Sequence, residues 1–305
     1  MDVSMALGIC WGVKMRGSAR LRCGEEVDDP RVVEEAMKLI NEFLSRVERH
    51  KSVLLSESAT PFDESIRALS NWLREIRAKV EEGNNDESIA NLRRAVLDIG
   101  ERMLELAKRA RKKWLETYRP ELEELINELG SGGARLIISG EPFNKDKSFV
   151  AHLFMKHLAI EMARVAKRGN ITVNITLTGL KGVHVAIPKL FGDGKLRAMQ
   201  CGLMLTDGSI DNDGYPMMST NQLWQVFAWL TAWPGKNHAY TNGLSLNDGD
   251  VSVMWHLTVI DYKGAFKNKA EVAEVASGLG DEGLPTFMLY AVLGDGYVNI
   301  KEKEG

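Results

Sequence analysis

Residues 199–210 have the sequence Met199-Gln200-Cys201-Gly202-Leu203-Met204-Leu205-Thr206-Asp207-Gly208-Ser209-Ile210, an apolar run that ends in Asp-Gly before β-prone residues. A second run near the C-terminus has the same order of features: Met288-Leu289-Tyr290-Ala291-Val292-Leu293-Gly294-Asp295-Gly296-Tyr297-Val298. This similarity predicts one structural unit that is used twice, or used once and begun again.

The first run is predicted to be a helix. Met199 and Leu203 then lie along one side, and the small residues Cys201 and Gly202 mark a point where a second helix can approach closely. Gly208 is predicted as the glycine that follows the helix end.

Asp207 therefore lies at the C-terminal end of the predicted helix. The helix dipole disfavours an acid there by roughly 0.3–1 kcal/mol. The position predicts a partner for the carboxylate, and a divalent cation is the partner that would stabilise it most.

The chain from residue 195 onward alternates helices with hairpins. A hairpin spans residues 209–219, a helix runs from Thr220 to Trp233, a second hairpin turns at residues 247–250, and a third helix spans 268–278. The predicted order is helix, two strands, helix, two strands, helix, after which the second apolar run starts the series again.

The chain before residue 195 is predicted in three segments. Residues 1–28 contain two short β-like stretches that could form a hairpin. Residues 29–130 carry apolar side chains at three- and four-residue steps, which is typical of a helical hairpin or bundle. Residues 134–192 are predicted as a small α/β segment, and residues 195–305 as the αββαββα unit with an antiparallel sheet. The predicted class is α+β.

Within residues 134–192, the spacing of apolar residues predicts a helix over 148–167. Two adjacent strands are predicted over 171–178 and 182–187, joined by a short turn.

Composition limits the class of protein. The 305 residues are 44% hydrophobic with a net charge of −3, so a folded chain is expected, and any contact with DNA must come from local patches. No run approaches the ~20 apolar residues of a membrane span, so no membrane anchor is expected. Cys10, Cys23 and Cys201 are odd in number and lack metal-ligand spacing, which favours thiols in a reducing cytoplasm over a disulfide framework.

Two other candidate sites fail on spacing. Lys147 stands between a predicted strand and a predicted helix, but a phosphate-binding loop needs glycine where Asp146 and Glu141 stand. His152 and His157 are five residues apart, so they would not share one helical face as a metal pair requires.

The segment Cys201-Gly202-Leu203-Met204-Leu205-Thr206-Asp207-Gly208 resembles the signature of the LAGLIDADG homing endonucleases. Tyr290-Ala291-Val292-Leu293-Gly294-Asp295-Gly296 resembles its second copy, and the order of elements between the two runs is also that family's. The resemblance covers residues 195–305. It implies a saddle of antiparallel strands that lies on double-stranded DNA, and two motif helices in contact through Cys201, Gly202, Tyr290 and Ala291.

The same resemblance implies a Mg²⁺-dependent DNA endonuclease. Asp207 and Asp295, one from each helix end, would bind Mg²⁺ beside the scissile phosphates, and Lys263 would be the basic residue near them. Paired carboxylates suit this chemistry because the metal ions neutralise developing charge and activate a water.

The sequence departs from the family pattern in three ways. Leu205 and Leu293 replace the first acid of the two motifs. Residues 195–280 contain six basic and eight acidic residues, whereas a phosphate-binding surface should contain more basic than acidic residues. Only residues 296–305 follow Asp295, too few for a second set of four strands. We therefore expect a divergent or degenerate, truncated copy that descends from a mobile-element endonuclease.

The whole chain is also similar to the archaeal multicopy repeat proteins of the PaREP type, through its helical first half and the stretch Leu223–Leu230. That resemblance implies no site residues. The alternative function is a non-catalytic module that binds DNA or protein. A monomer and a homodimer both stay open, although a second motif helix in the same chain favours pairing within one chain.

Overall fold

The computed structural model describes residues 7–17, 20–83 and 86–295, the last without its side chain. Helices and eleven strands of a mixed sheet are found among these described residues, so the predicted α+β class is confirmed. The chain divides into two compact units. Unit one comprises Met1–Asp63, Lys108–Leu180 and Asn242–Val253, and unit two comprises Glu64–Ala107, Lys181–Thr241 and Met254–Gly305.

The elements follow one another in this order: β1 (Gly8–Lys14), β2 (Leu21–Glu26), α1 (Pro30–Arg49), α2 (Lys51–Leu54), α3 (Asp63–Glu81), α4 (Glu87–Lys113), a π-helical turn (Trp114–Tyr118), α5 (Arg119–Ser131), β3 (Arg135–Gly140), β4 (Phe149–Phe154), β5 (Leu158–Arg164), β6 (Ile171–Leu177), β7 (Val183–Ile187), α6 (Asp193–Leu205), β8 (Gly208–Ile210), β9 (Pro216–Thr220), α7 (Leu223–Ala232), β10 (Gly235–Leu246), β11 (Val251–Val259), α8 (Lys269–Ser277) and α9 (Leu284–Asp295). The helices and hairpins from α6 to α8 stand in the predicted order.

The helical first half forms where its periodicity predicts. The Asp29 side chain accepts a hydrogen bond from the Arg31 N–H, and Pro30 occupies the first turn of α1, two features that favour a helix start. Pro120 stands in the first turn of α5, which follows α4 through the π-helical turn without a break.

Unit one contains a sheet with the strand order β2-β1-β3-β4-β5-β6, followed by the last residues of β10. The pairing of β1 with β3 is parallel, and the other pairings are antiparallel. Helix α1 packs against β4, β5 and β6. The largest buried side chains of this unit are Phe43, Phe62, Trp114, Tyr118 and Phe149.

The predicted helix over residues 148–167 is wrong, because these residues form β4 and β5. Buried and less buried positions alternate along each strand, as in Phe149, Ala151 and Leu153. The segment 134–192, all of it described, therefore holds β3 to β7 and is not α/β.

The strands predicted over 171–178 and 182–187 exist as β6 and β7, but they do not pair with each other. β6 pairs with residues 243–245 of β10, and β7 pairs with residues 235–239 of the same strand. The short turn between them is therefore not a hairpin.

The cysteines also differ from expectation. Cys10 and Cys23 form a disulfide across the β1–β2 hairpin, with their Cα atoms 5.5 Å apart, and only Cys201 is free among the three. Strand pairing brings the first two together, and their spacing in sequence gave no sign of it.

Unit two contains strands in the order β7-β10-β11-β9-β8. One face of this sheet is a core with Trp229, Trp233 and Trp255 fully buried. Residues 64–107, which hold nearly all of α3 and most of α4, belong to this unit, and the Trp72 ring of α3 packs edge-on against Phe227 of α7 with centroids 5.4 Å apart. No helix in the described part of the chain is long and apolar enough to cross a membrane.

Candidate functional site

Helices α6 and α9 of unit two are in close contact at two glycines. A Cβ atom on Gly202 would lie 2.7 Å from the Tyr290 Cβ and 3.1 Å from the Ala291 N, and a Cβ on Gly294 would lie 2.5 Å from the Thr206 Cβ. Both contacts advance along the two helices in the same direction, so the helices are parallel where they touch. The close contact between the two helices is made at Gly202. Burial raises the pKa of the thiol of Cys201, the preceding residue.

Asp207 follows the end of α6 and is partly buried. Its carboxylate accepts a hydrogen bond of 2.5 Å from the Gln225 Nε2. Gln225 is only 5% exposed, and its Oε1 accepts a hydrogen bond from the Thr220 hydroxyl. The partner that the structure gives Asp207 is therefore a neutral amide.

A cation does lie at the negative end of α6, but it is a lysine ammonium. The Lys269 Nζ, from the first residue of α8, donates to the carbonyl oxygens of Thr206 at 2.8 Å and Leu205 at 3.3 Å. A side-chain cation at the last carbonyls stabilises a helix end. Gly208 does not directly follow the helix end as predicted: Thr206 caps α6, and Gly208 begins β8, where a Cβ would lie 2.7 Å from the Met204 Cα.

The residues around Asp207 can be compared with the needs of Mg²⁺, which binds through carboxylates, other oxygens and waters. Asp295 ends α9, but its side chain lies outside the described residues. No group of three or more His, Cys, Asp or Glu side chains within the described ranges is arranged to hold a metal. Among the described residues Asp207 therefore offers Mg²⁺ a single carboxylate, which is hydrogen-bonded to an amide, and we derive no metal-dependent step from it.

Lys263, the predicted basic residue, lies in the loop after β11. Its ammonium stands 4.9 Å above the centroid of the Tyr215 ring. The Gly264 N–H donates to the Gly214 carbonyl, which ties this loop to the β8–β9 turn. The contact that the structure gives Lys263 is with an aromatic ring and not with Asp207.

The other face of the unit-two sheet carries a row of rings that crosses three strands. His184, His238, Tyr240 and His256 form this ring row, with successive centroids 4.9, 5.4 and 5.0 Å apart. His184 and His238 are cross-strand partners, and so are His256 and Ser219. The Ser219 hydroxyl and the His256 Nδ1 are 2.7 Å apart, so β9 extends the row by a hydroxyl.

The ring row is half-buried, and this changes its acid–base behaviour. Burial lowers the pKa of His256, and burial together with the neighbouring His184 lowers the pKa of His238. Burial and the charge of Asp211 raise the pKa of Tyr240. Near neutral pH the His238 and His256 rings are therefore uncharged, and each offers one hydrogen-bond donor and one acceptor.

A cleft of about 400 Å³ lies at the His184 end of the ring row. Its lining residues come from α4, β7 and β10: Asp98, Arg102, His184, Val185, Ala186 and Lys236. Two permanent cations and one acid therefore face this cleft.

Sequence reasoning missed both the ring row and the cleft. The available signal was the alternation of Lys236, His238 and Tyr240 with buried residues along β10, which predicts one polar face. Nothing in the local sequence indicates that His184 and His256 join that face.

No family model, curated protein or solved structure matches the chain. The LAGLIDADG and PaREP resemblances therefore rest on the sequence alone.

Proposed function

We propose that this chain is a DNA-binding protein of LAGLIDADG ancestry, which holds double-stranded DNA against the face of the unit-two sheet that carries the ring row. One observation carries the proposal: α6 and α9 pack in parallel through Gly202 and Gly294, so the residues that precede Asp207 and Asp295 are in contact. This is the helix pairing that the resemblance implies, and it occurs within one chain.

The outward face of the sheet suits a polar, elongated ligand. The edges of the half-buried rings offer hydrogen bonds, the Lys236 side chain is exposed on the same strand as His238, and the strands are antiparallel. Hydrogen bonds to phosphates fix a protein on DNA, and those to base edges read the sequence. If the partner is DNA, the protein acts in the cytoplasm, and this location is part of the proposal.

We propose binding without cleavage. The carboxylate of Asp207 is bonded to Gln225, and the carbonyls beside it are bonded to Lys269. Leu205 and Leu293 also stand where the family motif has an acid. These features support a divergent copy that has kept the DNA-binding face and lost the chemistry.

The test is a gel-shift and anisotropy assay with pooled genomic DNA fragments, with and without Mg²⁺ or Mn²⁺. We expect DNA binding and no nicking. Tyr240→Phe keeps the ring but removes the hydroxyl, and it should weaken binding roughly two- to tenfold, the size of one net hydrogen bond. Tyr290→Phe is the matched control, since it removes a hydroxyl from α9.

Each outcome bears on a different part of the proposal. A wild-type protein without DNA affinity would overturn the function and favour a protein-binding module. Nicking that disappears in Asp207→Asn would overturn the claim that cleavage is lost.

A further inference from the structure

We infer that helix α4 takes part in nucleic-acid binding, and that the cleft lined by Arg102, His184 and Lys236 holds a backbone phosphate. The inference rests on the proposed function and assigns a role to a helix that lies outside the LAGLIDADG-like segment. All of the residues that carry it belong to unit two.

Helix α4 is held firmly near Arg102. Gly100 lies against Leu73 of α3 and Phe227 of α7, so closely that a Cβ atom would stand 2.8 Å from a Leu73 methyl group and 3.6 Å from the Phe227 ring. Two residues turn a helix by about 200°, so Arg102 points away from this packed side. The packing thus fixes the backbone of α4 beside the cleft that Arg102 lines.

Arg102 is not committed to a strong ion pair. Its nearest carboxylate oxygens, on Asp98 and Glu105, are both 3.8 Å away, and all three side chains are about half exposed. Exposed pairs of this kind contribute little to stability and exchange readily. The guanidinium is thus available to a stronger anion.

Lys236 is positioned by its backbone. Its N–H donates to the Asp261 carboxylate at 2.8 Å, while its ammonium has no hydrogen bond or ion pair with the described residues. The next outward position on β10 is His238, whose ring packs against the ring of His184. The cleft thus combines an ammonium, a guanidinium and an imidazole.

This set of groups favours phosphate as the ligand. A guanidinium binds phosphate through two parallel N–H groups, and an ammonium adds a point charge. Ala186, which also lines the cleft, has a small apolar side chain that takes up little of its volume. Asp98 opposes an anion, yet Arg102 and Lys236 together outweigh it by one charge.

The experiment measures the salt dependence of duplex DNA binding for the full chain. Each phosphate contact contributes about 0.9 to the slope of log affinity against log salt. Arg102→Gln and Lys236→Gln should therefore each reduce the slope by about one. Arg94→Gln removes the same charge from an exposed position of α4 that does not line the cleft, and it should leave the slope unchanged. Thermal melts monitored by circular dichroism confirm folding.

A second arm separates a DNA phosphate from a free one. Inorganic phosphate and a nucleoside monophosphate are titrated at constant ionic strength while the imidazole NMR signals of His184 are followed. Free phosphate should shift these signals in the wild type and much less in Arg102→Gln.

The outcomes distinguish this inference from the proposed function. If the wild type binds DNA and the slope is the same in Arg102→Gln, the phosphate subsite is wrong and the function stands. If phosphate shifts the His184 signals but DNA does not bind, the subsite stands and the function is wrong. If neither binds, both are overturned.

Discussion

Thr206 packs against Gly294, so that a Cβ atom on the glycine would lie 2.5 Å from the Thr206 Cβ. The two residues stand immediately before Asp207 and Asp295. The ends of α6 and α9 are therefore held side by side by an approach that only a residue without a side chain allows.

Gly202→Ala should weaken this helix pair. The added Cβ would lie 2.7 Å from the Tyr290 Cβ and 2.9 Å from the Phe287 carbonyl oxygen, so α9 must shift. Overpacking of this kind costs about 1–3 kcal/mol, which the free energy of unfolding in urea will measure. Gly194→Ala, in the same helix with no heavy atom within 4 Å, is the control and should be neutral or slightly stabilising. Equal effects of the two changes would contradict the close contact.

Gln225→Glu should create a cation site that the wild type lacks. The new carboxylate would stand beside Asp207 in a place where Gln225 is only 5% exposed, so the two negative charges would repel. We expect a loss of about 1–3 kcal/mol, together with a rise of the melting temperature when Ca²⁺ or Mg²⁺ is added. Gln225→Met has a similar volume and no charge, so it should lose stability without any response to cations. Stabilisation of the wild type by Mg²⁺ would show that the cation site already exists without the substitution, and it would contradict this prediction.

The protein should lose stability as the pH falls below the usual histidine pKa. Burial lowers the pKa of His238 and His256 in the folded chain, whereas in the unfolded chain the pKa of these groups is about 6.5. Below that pH the unfolded chain binds more protons than the folded chain, so the free energy of unfolding decreases. Melting curves between about pH 7.5 and pH 5 test this. His256→Gln keeps a hydrogen-bonding group beside Ser219 and should show a smaller loss. If His256→Gln loses as much stability at low pH as the wild type does, His256 is not a cause of the pH dependence.

Thiol titration should find one free cysteine. Cys10 and Cys23 are joined, and Cys201 is buried, so denatured protein that has not been reduced should expose a single reactive thiol. Native protein should react slowly, because burial also raises the pKa of Cys201 and thiolate is the reactive form. Reduced and denatured protein is the control and should react at all three cysteines. Detection of three thiols in unreduced protein would contradict the disulfide and agree with the three free thiols that the sequence predicts.

Helices with long apolar periodicity were predictable from the sequence. One short segment, which forms two strands, shows why other elements were not. Phe149, Leu153 and His157 recur every four residues, a spacing that fits a helix, but four is also a multiple of the strand period of two. The turn between β4 and β5 contains Met155, Lys156 and His157 rather than glycine or proline, so nothing local marked it. Pairing with β3 and β6 decided the structure of this segment, and such long-range contacts leave no local pattern.

The candidate site shows the same limit. Gly202 was predictable as a contact because a small residue within an apolar run has few other uses. The amide partner of Asp207 was not, because Gln225 lies in another helix. The ring row takes members from three strands, and its cleft adds Arg102 from a helix far away in the chain. Only the tertiary structure brings such residues together.

Unit two is assembled from three separated segments of the chain, and this has a consequence for synthesis. Most of α3 and α4 leaves the ribosome well before residues 181–241 and 254–305, which complete unit two. The Trp72 ring of α3 packs against Phe227 of α7 in the finished fold, so in the nascent chain Trp72 awaits this partner. Such late, long-range closure slows folding and leaves apolar surface uncovered in the interval. A nascent chain that stalls in this interval should therefore be a preferred client of chaperones.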